Sequence, residues 1–351
     1  MQLPNTDDFL LLYLSINRIT FLRYSEKKIL AKKLDSSRSL ALLSIEEILN
    51  LTGHIYRKGM IWDGIENLKQ AKKALQYCKF FNIKIIFDFS ENYPELLRQI
   101  SDPPFLLFCR GNESLLTKTS VSVVGTRNLT PEGRKASYDF AYDAVCSGLN
   151  VVSGLAFGAD GYAHQGAVDA FFDKAEKEEN TDFLGKTVAV IPSGIDEIIP
   201  SGHKRLAGKI LQSGGCIVSE YEPALQMANW HFVGRNRIIA ALSPATVVVQ
   251  APPGSGALIT ADFALEYNRE VMFHKAAFCE SAKKIAEAKW KKLESDFASN
   301  KISKYKLENT ITRFLDCGAV VIEDYKDYCK ALNEIPGFRV NQYNQGLLFE
   351  T

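Results

Sequence analysis

From residue 121 onward the chain repeats one unit, and this repetition limits its fold more than any other feature. Apolar strand-length runs at 121–124, 151–152, 187–191, 216–218, 246–249 and 271–273 alternate with helix-like stretches. Such alternation predicts parallel strand–helix–strand units and a doubly wound sheet. In that architecture ligands bind outside the carboxyl ends of the strands, where helix N-termini point free N–H groups and positive dipole ends into a crevice.

The flanking regions differ. Apolar positions recur at helical spacing through 10–19, 29–34, 40–51 and 65–80, so residues 1–88 are expected to form a small N-terminal helical domain. Tyr93-Pro94 and Asp102-Pro103-Pro104 impose extended backbone ahead of a short strand at 105–109. Residues 89–278 are expected to form the central domain, with a charged insertion at about 173–182 read as a solvated loop or helix extension. A Lys-, Glu- and Ala-rich segment to about residue 306 predicts an added surface helix. A helix, a strand at 319–322 and a last helix then close residues 279–334, and 335–351 is expected to be a flexible tail. The expected class is therefore α/β: an extended Rossmann-like, doubly wound, mostly parallel sheet with a helical N-terminal domain and a mainly helical C-terminal extension.

Among 351 residues, 46% are hydrophobic, enough for a full core. Net charge is only +1, so attraction for a polyanion must come from a local cluster of Lys and Arg. The seven cysteines are odd in number, scattered and never in a C-x-x-C pair, which argues against a disulfide framework or a zinc site. No secretory leader and no run of about 18 apolar residues is evident. The expected setting is cytoplasm, without membrane, metal or cofactor.

The unusual residues fall at the strand ends. The first strand ends in Gly125-Thr126-Arg127, followed by Thr130-Pro131, an N-cap with proline in the first helical position. Arg127 is expected to stand over the crevice; the alternative is a surface arginine paired with a carboxylate. The second strand runs into Ser153-Gly154-Leu155-Ala156-Phe157-Gly158, where glycines and a hydroxyl allow close approach to phosphate oxygens. Similar turns follow at Pro192-Ser193-Gly194 and at Gly254-Ser255-Gly256, and basic residues join them at Lys204-Arg205 and Arg235-Asn236-Arg237. Arginine suits the task because its guanidinium forks onto two phosphate oxygens.

Arg235 and Arg237 lie two positions apart on a helix and cannot both face one way. One is expected to bind ligand and the other to brace a loop or carboxylate, with the order open. Asp160 and His164 share a helix face, but a helix cap and an intrahelical hydrogen bond explain them better than acid–base work. Glu220 fits either catalysis or an ionic brace for Arg235 or Arg237. No Ser–His–Asp spacing, paired carboxylate or metal cluster stands out.

In this order, Val123-Val124-Gly125-Thr126-Arg127, Val152-Ser153-Gly154-Leu155-Ala156, Gly158-Ala159-Asp160, Ser219-Glu220-Tyr221, Arg235-Asn236-Arg237 and Ser255-Gly256-Ala257 resemble the DNA-processing protein A family (DprA/Smf). The resemblance covers about residues 93–274. It implies a non-catalytic homodimer that binds single-stranded DNA without sequence choice, protects incoming DNA and loads RecA recombinase in natural transformation and recombination. It also implies strand contacts by Arg127 and Lys204. Phe157 departs from the arginine or polar residue common at its position, and either stacks on a base or packs in the core. His203 replaces an asparagine, and the winged-helix module of many members is not recognisable.

In the tail, Gln345-Gly346-Leu347-Leu348-Phe349 resembles peptides that bind the bacterial sliding clamp, with Gln345, Leu348 and Phe349 as anchors; the alternative is a tail tucked onto its own domain. Two other classes compete. Related Rossmann-like phosphoribohydrolases, also called lysine-decarboxylase-like, carry P-G-G-x-G-T-x-x-E, but here Ala257 and Thr260 replace the threonine and the catalytic glutamate. A pure interaction protein would not need Arg127, Lys204 and the Arg-Asn-Arg run near one crevice. A nicotinamide dehydrogenase lacks support, because Gly125-Thr126-Arg127 is not G-x-G-x-x-G.

Overall fold

The computed structural model describes residues 7–334. Its N-terminal part consists of α1 (Asp7–Asn17), α2 (Tyr24–Lys33), α3 (Ser37–Leu42), α4 (Ile45–Thr52) and α5 (Gly64–Phe80). Short polar residues set the starts: Ser36 accepts from Ser39 N, Ser44 and Glu47 form a reciprocal capping box, and Asp63 accepts from Glu66 N. The helices do not enclose a separate core. Leu12, Leu14, Ile16 and Leu30 pack in one cluster with Phe105, Leu106, Ile191 and Ile217 of the sheet region.

The helical reading of 1–88 needs a correction at its end, because residues 84–87 form a strand, β1 (Lys84–Phe87), antiparallel to β2 (Leu106–Gly111). Between them lies α6 (Glu95–Arg98). There follow β3 (Ser120–Val124), α7 (Pro131–Cys146), β4 (Asn150–Ser153), α8 (Ala159–Glu176), β5 (Thr187–Val190), α9 (Lys204–Gln212) and β6 (Cys216–Ser219). After these come α10 (Trp230–Ala241), β7 (Ala245–Val248), α11 (Gly256–Glu266) and β8 (Glu270–His274). The sheet order is β1-β2-β6-β5-β4-β3-β7-β8-β9, with β9 at Val320–Ile322. β3 through β9 run parallel, and β2 pairs antiparallel with β6. The order reverses at β3, which pairs with β4 on one side and β7 on the other.

Alternate residues of the buried strands face opposite helical layers. Val124, Val152, Val188 and Val218 pack with Ile238 of α10 and Leu258 of α11, whereas Val121, Val123 and Val151 pack with Phe140 of α7 and Ala163 of α8. The charged 173–182 stretch finishes α8 at Glu176 and continues as a loop. The polar segment after residue 278 is α12 (Glu280–Ala298), which buries only Leu293, then α13 (Lys304–Glu308). α14 (Ile311–Asp316), β9 and α15 (Tyr325–Glu334) close the described chain. Gln345, Leu348 and Phe349 lie outside the described residues, as does the expected flexible tail.

Candidate nucleic-acid interface

The loops after β3, β4 and β7 are tied together before any ligand is considered. Thr126 N–H donates to Gln250 O at 2.7 Å, and Ala159 N–H donates to Thr126 O at 3.2 Å. The Gln250 amide spans the junction, accepting from Thr130 N–H and donating to Thr130 Oγ1 and Ala276 O. Gly125 and Gly158 make this closeness possible. A Cβ on Gly125 would press on Ala159, and one on Gly158, at φ +81°, would overlap the backbone of Thr126 and Arg127. The N–H groups of Thr126 and Ala159 are thus used within the fold, and what the two turns present outward is side chains such as Arg127 and Phe157.

The side chains they present line an open groove of ≈640 Å³ over the N-terminal parts of α7 and α8 and along α9. Arg127, Arg134, Arg205 and Lys209 line it, and no carboxylate does among the described residues. Arg127 is exposed, with its guanidinium 5.3 Å from the Phe232 ring centroid on α10. Phe157 and Tyr162 add aromatic surface, and Phe157 is 51% exposed. Phe157 is thus not a core residue. It meets the His203 ring edge-on at 4.8 Å, and His203 Nδ1 sits 2.8 Å from Leu155 O, which fixes that ring beside the groove.

Of the residues expected at the site, Arg127, Phe157 and Gly158 come together here, and Thr126 lies directly beneath them. Lys204 is exposed at the first turn of α9, while the next residue, Arg205, lines the groove. Ser153 and Gly154 lie underneath: Ser153 Oγ donates to Val123 O at 2.6 Å, and a Cβ on Gly154 would collide with the Arg235 guanidinium. Ser255, Gly256 and Asn236 are grouped elsewhere, by the β7–α11 turn, where Asn236 Nδ2 donates to Gly256 O at 3.4 Å. Gly254 N–H there donates to Asn309 O, so the C-terminal extension covers that turn.

Both helix arginines are buried and bonded within the protein. Arg235 is 4% exposed, donates to Val190 O at 3.0 Å and lies 4.0 Å from Asp160. Burial pulls its pKa down to about 10, and burial likewise raises that of Asp160. Arg237 bonds Glu220 at 2.7 Å and Asp102 at 3.4 Å, and these carboxylates hold its guanidinium charged despite burial. Glu220 is therefore in an ion pair. Asp160 accepts from Ala156 N–H at 3.3 Å, inside the turn before α8. His164 turns out of its helix: Nδ1 contacts Thr187 Oγ1 of β5 at 2.7 Å, and burial lowers its pKa to about 3.

Sequence reading missed Arg134, Tyr162 and Lys209. The signal lay in helical phase, since Arg205 and Lys209, and likewise Gly158 and Tyr162, are four residues apart and share a face. Among the described residues no group of three His, Cys, Asp or Glu side chains could hold a metal, and no helix is long and apolar enough to cross a membrane.

The sequence pattern of a family described as DNA recombination-mediator protein A matches residues 84–297. The chain belongs to that family. The match begins at β1 and runs into α12, wider than residues 93–274. Protein Smf of Borreliella burgdorferi is 30% identical over 266 residues, 76% of this chain and 79% of the relative. DNA processing protein DprA of Bacillus subtilis is 38% identical over 183 residues, 52% of this chain and 57% of its own length. The solved DprA of Streptococcus pneumoniae superposes with a TM-score of 0.65 at 25% identity, covering 94% of this chain and 98% of that one. The DprA of Helicobacter pylori, described with a single-stranded DNA binding mode, shares the fold with a TM-score of 0.53 at 23% identity, covering 72% of this chain and 97% of its own. Membership gives the extended Rossmann-like sheet its place in a DNA-processing family.

Proposed function

We infer that this family member binds single-stranded DNA without sequence choice, in the groove between α7, α8 and α9. The observation that carries the reading is the lining itself: four cations, two aromatic rings and no carboxylate among the described residues. Guanidinium and ammonium groups neutralise phosphates regardless of sequence, and exposed rings stack on any base. A duplex hides its base faces, so Phe157 and Tyr162 favour a single strand. A single-stranded DNA binding mode belongs to the Helicobacter pylori protein of the same fold, and the reading extends it to this chain.

The full role we infer is protection of incoming DNA and loading of RecA recombinase in transformation and recombination, by a cytoplasmic, non-catalytic homodimer. A sliding-clamp contact through Gln345, Leu348 and Phe349 belongs to the same proposal. The deciding experiment is fluorescence anisotropy with labelled oligothymidine and its duplex, on the full chain and on the Arg127→Ala, Arg205→Ala double variant. Single-strand preference lost in the variant supports the groove. Equal binding by both proteins overturns it. RecA filament formation on DNA pre-coated with a single-strand-binding protein then tests loading, and sedimentation tests the dimer.

A further inference from the structure

At one wall of the groove two aromatic rings are fitted together by glycines. Phe157 precedes α8, His203 ends the turn ahead of α9, and both line the groove. A Cβ on Gly202 would touch the Phe157 ring at 3.4 Å, and one on Gly161 would press on Cε1 of His203 at 2.8 Å, with Nε2 3.1 Å away. The rings stand 70° apart, edge against face. Phe157 is 51% exposed, so aromatic surface is left over for a ligand.

The tautomer of His203 follows from its partner. A carbonyl oxygen only accepts, so Nδ1, 2.8 Å from Leu155 O, must carry the hydrogen and donate it. In the neutral ring Nε2 then bears a lone pair and can only accept. Nε2 has no hydrogen-bond partner among the described residues, and unlike Nε2 of His164 it is not sealed inside the fold. The groove thus offers an acceptor beside an exposed ring, while Arg127, Arg134, Arg205 and Lys209 along it are donors. A phosphate oxygen suits those four and is repelled by a lone pair. A base is the part of a nucleotide that brings N–H donors and a stackable face together.

We propose that His203 makes the groove selective for unpaired bases: a base stacked on Phe157 donates an N–H of its pairing edge to His203 Nε2. The proposal rests on the groove being the single-strand site. Thymine and guanine ring N–H groups and the amino groups of adenine and cytosine all supply such a donor, so the contact is blind to sequence. In a duplex the same hydrogen is already bonded to the opposite base. Stacking on Phe157 favours a single strand through access to the ring face, and His203 adds a chemical test of pairing.

The test compares binding of an oligothymidine and of its fully N3-methylated counterpart, which keeps the phosphates and ring faces but has no base N–H. The full chain is used at about pH 8, where an ordinary imidazole is neutral. Wild type is expected to prefer the unmethylated strand by about threefold to tenfold, the worth of one hydrogen bond. His203→Asn, which can still donate to Leu155 O, and His203→Phe, which keeps a ring against Phe157, are both expected to bind the two strands alike. Neither should change the slope of log affinity against log salt, because neither removes a phosphate contact. A wild type indifferent to methylation overturns the proposal whether or not the variants fold, and so do folded variants that keep the preference. A shallower salt slope in both variants also overturns it, by assigning His203 to phosphate. If Arg127→Ala with Arg205→Ala binds both strands like wild type, the groove reading itself fails and the proposal with it, whatever the His203 variants do.

Discussion

The guanidinium of Arg235 occupies the space that a side chain on Gly154 would need, so that even a methyl group there would overlap Nη1. Glycine at this turn therefore serves a buried cation, which Val190 O and Asp160 hold beneath the groove floor. Gly154→Ala should displace Arg235 and leave Asp160 buried without its partner. Breaking a buried pair in this way costs about 3–5 kcal/mol. Urea denaturation should show that loss, and an unchanged midpoint would mean the guanidinium does not depend on the space.

Phe157 offers a cleaner separation of binding from stability. Its ring is half exposed and rests against His203, so Phe157→Ala should change unfolding free energy by no more than about 0.5 kcal/mol. A buried phenylalanine would cost about 3–5 kcal/mol instead. Single-strand affinity should fall by roughly 1–3 kcal/mol, one stacked base. Calorimetric melting and anisotropy on the same variant distinguish the two effects; lost stability with unaltered affinity would make Phe157 a packing residue.

How far the sequence reaches is visible at particular positions. The strands from Val121 onward were legible because a buried parallel strand is an uninterrupted apolar run between glycine turns, and β3 to β8 fall on those runs. Lys84-Ile85-Ile86-Phe87 was not, since four residues directly after a helix carry too little periodicity to separate strand from helix end; their pairing with Leu106–Gly111 decides it. Arg127 was legible as a cation at a strand end. Arg134 and Lys209 look like any solvated helix face until α7, α8 and α9 converge, and Arg235 reads the same in sequence whether it faces a phosphate or a buried aspartate.

His164 makes stability depend on acid. Its folded pKa is about 3 against an ordinary value of 6.5, because burial disfavours the imidazolium. The unfolded chain therefore takes up a proton that the folded chain refuses. The resulting stability is complete above pH 6.5 and is lost progressively as pH falls toward 3, at up to about 1.4 kcal/mol per unit. Urea titrations between about pH 7.5 and 5 should show a loss of about 2 kcal/mol from this group. His164→Gln should remove that share of the slope; an identical slope in the variant would place the titration elsewhere.

Ala224 tests backbone strain away from the groove. It is exposed, with φ +62°, in the left-handed region that costs a β-carbon about 1–2 kcal/mol. Ala224→Gly should stabilise the fold by about 0.5–1 kcal/mol after the extra entropy of glycine in the unfolded chain is subtracted. A lower melting temperature would show that the loop is held by more than its Ala224 N–H bond to Asp196.

The groove's electrostatics can be counted by salt. Each phosphate neutralised on a single strand contributes about 0.7 to the slope of log affinity against log salt, because a condensed counterion is released. Arg127, Arg134, Arg205 and Lys209 line the groove, so if all four engage, the slope from the groove should be near −2.8, about −0.7 multiplied by four contacts. Arg205→Ala should lower its magnitude by about 0.7, and adding Lys209→Ala by about 0.7 more, while neither changes preference among homopolymers. Arg235→Lys acts differently: it changes a buried brace, so stability should drop while the slope stays fixed. A slope that shrinks in the Arg235 variant and not in the Arg205 variant would move the phosphate contact from the groove wall to the crevice beneath it.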